Sequence, residues 1–73
     1  MRRKMTRNEL KELFGAVLSY CVFIRRQTNR YDALDIMDEC KEMIKEATTE
    51  FIISVPVELF LIKKVDDAFN NNF

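Results

Sequence analysis

Histidine is absent from the 73 residues, cysteine occurs twice, and glycine and proline occur once each. The missing imidazole removes the commonest general base and the usual partner of a cysteine nucleophile, so catalysis by Cys21 or Cys40 is not expected and no catalytic residue is assigned. Two thiolates without histidine cannot close a tetrahedral zinc site within one chain, and the sequence implies no metal or cofactor. Long apolar runs are also missing. Ala16 to Ile24 is too short to cross a bilayer, and Phe51 to Ile62 is interrupted by Pro56 and Glu58. Met1-Arg2-Arg3-Lys4 has the charge of a signal-peptide start, but Thr6 to Glu12 is polar and no cleavage site follows. These absences predict a cytoplasmic, non-membrane protein whose cysteines stay reduced and buried.

Net charge is zero, yet its distribution is uneven. Arg2, Arg3, Lys4 and Arg7 crowd the start, and Arg25, Arg26 and Arg30 form a second basic group. Seven acids between Asp32 and Glu50 face only Lys41 and Lys45. A chain of this length is one domain, residues 1–73, and so small a domain buries only about 60% of the surface its unfolded chain exposes. With disulfide and zinc set aside, self-association is the remaining common source of extra stability.

The local signals predict an all-α fold. Thr6-Arg7-Asn8-Glu9 has the spacing of a capping box, in which the Thr6 hydroxyl and the Glu9 carboxylate each take one orphan amide. Leu10, Leu13, Phe14, Val17, Leu18, Cys21 and Ile24 then recur at three- and four-residue steps, predicting a first helix over residues 7–26. Residues 1–5 are read as a flexible basic arm. Gln27-Thr28-Asn29 is a turn, with Asn29 suited to cap a second helix that starts at Arg30 or Tyr31. That helix carries Ala33, Ile36, Met37, Cys40, Met43, Ile44, Ala47 and Phe51 on one stripe, and a short turn makes the pair an antiparallel hairpin. Pro56 belongs in the first turn of a shorter third helix, residues 56–69. The β-branched run Phe51 to Val55 allows a short strand, paired across a dimer, as the alternative. Residues 70–73 are read as a frayed tail.

Gly15 lies inside the first helix, where glycine costs about 1 kcal/mol relative to alanine. Either another backbone approaches closely across Gly15 and Ser19, or the glycine simply faces solvent.

Three surfaces follow. The segment from Phe51 to Ile62 holds nine large apolar residues among twelve, more than a lone three-helix unit can hide on every side. An oligomer interface, most simply of a two-fold homodimer, is therefore expected at Phe51, Val57, Leu59, Phe60, Leu61 and Ile62, with Val22 and Phe23 of the first helix. Asp35, Glu39, Glu42, Glu46 and Glu50 share a narrow arc opposite the core of the second helix. The plain reading is a solvated helix face; but like charges at these spacings cost a few tenths of a kcal/mol each, which the protein's own arginines or a basic protein partner would relieve. The alternative is an anion site for nucleic acid or a nucleotide, built from Arg2, Arg3, Lys4 and Arg7 with Arg25, Arg26 and Arg30, and Tyr31 or Tyr20 stacking on a base. Against a DNA-reading helix–turn–helix stands the acidity of the second helix. The leading expectation is a small non-enzymatic interaction protein that self-associates and regulates or inhibits a partner.

Overall fold

The computed structural model describes residues 1–73 as three helices and two short strands: β1 (Arg3–Lys4), α1 (Arg7–Arg26), α2 (Arg30–Glu50), β2 (Phe51–Ile52) and α3 (Val55–Asn70). The capping box forms: the Glu9 amide donates to Thr6 Oγ1 at 3.2 Å, and the Thr6 amide donates to Glu9 Oε1 at 2.9 Å. Arg25 and Arg26 occupy the last turn of α1, where they complement its negative end. Asn29 caps α2 by accepting from the amides of Tyr31 and Asp32 at 2.8 and 3.4 Å. Pro56 sits in the first turn of α3, its missing N–H falling where no intrahelical partner exists.

Short connections make α1–α2 and α2–α3 antiparallel, and α1 and α3 therefore run parallel. Their contacts advance together along both helices: Phe14 meets Phe60, Cys21 Sγ donates to the Lys64 carbonyl at 3.5 Å, and Asn72 reaches the Ile24 carbonyl. The bundle measures 40 × 18 × 16 Å. Its core consists of Leu13, Val17, Cys21 and Ile24 from α1, Ala33, Cys40 and Ile44 from α2, and Leu61, Val65, Ala68 and Phe69 from α3. Both cysteines are free thiols in this core.

Two expectations are corrected. Residues 1–5 are not a loose arm, because Arg3 and Lys4 pair in parallel with Phe51 and Ile52. The starts of α1 and α3 share one end of the bundle, so the N-terminal backbone passes beside the extended residues that join α2 to α3. The Arg3 guanidinium donates twice to the Glu9 carboxylate, each at 2.7 Å, and its Cζ lies 4.9 Å from the Phe51 ring centroid. Arg2 Nη1 adds a bond to the Thr48 carbonyl at 2.9 Å. The strand at 51–52 thus pairs within the chain, with Arg3–Lys4.

The tail is likewise anchored. Asn72 Nδ2 lies within hydrogen-bonding reach of the carbonyls of Ile24, Arg25 and Gln27 at 3.1–3.4 Å, meeting the orphan acceptors at the end of α1. Phe73 stacks on Phe69 with centroids 5.2 Å apart.

Candidate interaction surfaces

The apolar residues of α3 divide among three directions. Leu61 is 2% exposed and belongs to the core, which removes it from any interface. Val57 and Ile62 are half-buried against that core. Phe51 is half-buried under Arg3. Leu59 and Phe60 remain 58% and 50% exposed, but adjacent residues stand about 100° apart on a helix and cannot share one patch centre. Val22 and Phe23, both exposed, diverge in the same way on α1. The eight residues expected to form one interface are therefore distributed around the bundle.

A different constellation gathers between α1 and α3. Phe60 turns toward α1 and meets Phe14 with ring centroids 6.0 Å apart. With Val17, Leu18, Leu61 and Lys64 they line an open groove of about 300 Å³. Val17 and Leu61 are its buried floor, and Leu18, 54% exposed, is one wall. The Lys64 ammonium lies 5.3 Å from the Phe60 ring centroid, an amphipathic side chain laid along apolar surface with its charge in water. Phe14, Leu18 and Lys64 are absent from the interface predicted above. The signal for the first two is the width of the α1 stripe: at 100° per residue, Phe14 and Leu18 lie at one extreme of its arc, beyond what the buried Leu13, Val17, Cys21 and Ile24 require. A second groove, about 290 Å³, lies at the strand end of the bundle among Met5, Leu10, Ile52, Ile53 and Val57.

No protein-family model, curated protein or solved structure matches this chain. Its surfaces are therefore read from their own chemistry.

Asp35, Glu39, Glu42, Glu46 and Glu50 are all exposed on α2. The ion pairs of the chain are Arg3–Glu9 and Lys41–Asp66, both 2.7 Å, and neither draws on this stripe. The chain's own arginines do not relieve it. Burial, and then the Glu39 charge, push the Tyr20 phenol above its ordinary pKa.

The basic residues do not converge. Arg2, Arg3, Lys4 and Arg7 lie at the strand end, while Arg25, Arg26, Arg30 and Tyr31 lie at the opposite end, beyond a 20-residue helix that spans about 30 Å. Arg3 is committed to Glu9, and Arg30 Cζ rests 5.8 Å from the Phe69 ring centroid. A composite anion site using both groups is not assembled.

Burial raises both thiols, that of Cys40 to about 11. A thiol held protonated is a poor nucleophile. No cluster of three or more cysteine, aspartate or glutamate side chains has the geometry to hold a metal ion. No helix is long and apolar enough to cross a membrane.

Proposed function

We propose that this chain is a small non-enzymatic interaction module that self-associates and binds and regulates another protein in the cytoplasm. The observation that carries the reading is the open apolar surface on α1 and α3, where Leu18 and Phe60 stay half-exposed beside Phe14. Clustered exposed apolar residues beside charged ones are what a partner surface offers before it is covered. The unpaired carboxylates of α2 supply a second face, suited to a basic protein segment. Self-association in this reading uses an exposed apolar side chain outside the groove, Leu59 or Phe23.

The test is site-specific photo-crosslinking in the native cell from Phe60, Leu59 and Glu42 in turn, with solution mass measured across protein concentration. Adducts from these positions, together with a mass that rises with concentration, are expected. A concentration-independent monomer that yields no adduct at any of the three positions would refute the reading. Salt-sensitive binding to random-sequence DNA that disappears on removal of residues 1–7 would replace it with anion binding.

A further inference from the structure

We infer that the groove between α1 and α3 receives a single amphipathic helix with acidic flanks, contributed by a different protein. The inference rests on the interaction-module reading and adds the chemistry of the partner. Its first support is charge. Arg7, Lys11, Phe14, Leu18, Val22 and Arg25 follow one another at steps of three and four, forming a continuous stripe along α1 in which apolar residues are bracketed by cations. On α3 the facing residues are Phe60, Lys63, Lys64 and Asp67, which also line a smaller hollow beside the groove. The margins are thus basic, with Asp67 the one carboxylate on the α3 side.

The second support is shape. The floor is fully covered by Val17 and Leu61, the walls are aromatic and aliphatic, and the backbone groups of both helices are engaged within the helices. Such a trough offers no strand edge to an extended peptide. It does offer the parallel ridges of two helices to a third helix, whose apolar stripe would complete a four-helix arrangement opposite α2.

A second copy is the poorer occupant. A two-fold pairing of grooves sets two basic margins, each carrying Lys63 and Lys64, against one another. Inserting the acidic face of α2 gives the right charge but no central anchor, because Asp35, Glu39, Glu42, Glu46 and Glu50 are interspersed with Asp38, Lys45 and Thr49, and the one large exposed apolar side chain of that face, Tyr31, stands in the first turn of the helix. A flat anionic membrane matches the charge but does not fill a trough.

The test titrates the full chain, followed by amide NMR, with two synthetic helices that share a leucine stripe at three- and four-residue spacing, one flanked by Glu and the other by Lys. The Glu-flanked helix is expected to shift the signals of Phe14, Leu18 and Phe60 and to bind about tenfold more tightly, the worth of a few exposed ion pairs. Lys63→Glu combined with Lys64→Glu should reverse that preference. Phe60→Ser should abolish binding of both peptides while leaving the far-UV circular dichroism unchanged. Equal affinity for both peptides, shifts confined to α2, or a dimer formed through Leu18 and Phe60 would overturn the inference. So would binding to anionic vesicles by a chain that ignores the Glu-flanked peptide. Crosslinks from Glu42 with a silent groove would sink this inference alone and leave the interaction module standing. Silence from both surfaces would sink both.

Discussion

Replacing Leu61 by alanine, with Leu59→Ala as its neighbour control, tests the rotation of α3 on which every surface assignment depends. Leu61 is 2% exposed and Leu59 58%. Burying a leucine side chain fully stabilises by about 1.5–3 kcal/mol, and truncation leaves a cavity that brings the total cost to about 2–5 kcal/mol. A domain of 73 residues holds roughly 4–11 kcal/mol in all, at about 0.05–0.15 kcal/mol per residue. Leu61→Ala should therefore remove a large fraction of the stability. A loss of about 3 kcal/mol lowers the melting temperature by roughly 12–24 °C at this size. Leu59→Ala should cost under about 1 kcal/mol, since more than half of its surface is already in water. Urea melts followed by far-UV circular dichroism, repeated at several protein concentrations, measure both. Equal costs at every concentration would show that α3 is rotated from the arrangement described. A Leu59→Ala cost that grows with concentration would instead place Leu59 in an oligomer. Leu61→Glu should unfold the chain outright and so reports nothing about association.

Gly15→Ala should stabilise by about 0.5–1 kcal/mol, because glycine is the poorer helix former and an added Cβ meets nothing within 4 Å; a loss in the same urea melts would mean that another chain packs there. The Glu9 carboxyl is lowered from its ordinary 4.5 to about 2, chiefly by the Arg3 guanidinium and then by the Thr6 amide. A depressed acid contributes stability that is complete above its unfolded pKa and lost as pH falls through the folded one. Glu9→Gln should thus flatten the acid limb of the stability curve between about 4.5 and 2, and an unchanged limb would show that the Arg3 tie is not maintained in solution. Burial raises the Cys40 thiol from 9.0 to about 11, so its contribution is complete below pH 9.0 and is lost as the pH rises through about 11. Both thiols should react with an aromatic disulfide reagent only as fast as the chain opens; rapid labelling in native buffer would contradict their burial.

The local chemistry of the fold was legible before its long-range chemistry. Thr6 with Glu9, Asn29 before α2, and Pro56 at the head of α3 each mark a boundary with a mechanism confined to a few residues, and the helices begin where those signals stand. The pairing of Arg3–Lys4 with Phe51–Ile52 joins segments far apart in sequence, and two residues are too few to show a strand period. Asn72 over the end of α1 is equally non-local. The four consecutive apolar residues Leu59 to Ile62 carry no phase by themselves. The phase is set downstream by Val65, Ala68 and Phe69, which continue the Val57–Leu61 spacing and turn Leu61 inward. On α1 the same ambiguity merged core and groove into one stripe, because Phe14 and Leu18 are as apolar as the residues buried beside them.

The division of the 51–62 segment bears directly on how a partner would be detected. Its apolar side chains are neither wholly absorbed nor wholly presented: Leu61 is inside, Val57 and Ile62 are half covered, and Phe60 stands open in the groove. The core of eleven residues includes two alanines and two cysteines, so the free chain has little stability in reserve. A ligand that binds only the folded state adds about 2.7 kcal/mol at a hundredfold excess over its Kd, which at this size corresponds to a melting shift of roughly 11–22 °C. A Glu-flanked helix that fills the groove should produce a shift of that order, and the shift should shrink in the Lys63→Glu, Lys64→Glu double variant. A shift that survives the charge reversal unchanged would mean that the stabilising contact lies elsewhere. The groove at the strand end, where Lys4 stands beside Met5, Leu10, Ile52, Ile53 and Val57, would then be the first surface to mutate, because the carboxylates of α2 repel a Glu-flanked helix and this second groove offers it apolar lining without touching Lys63 or Lys64.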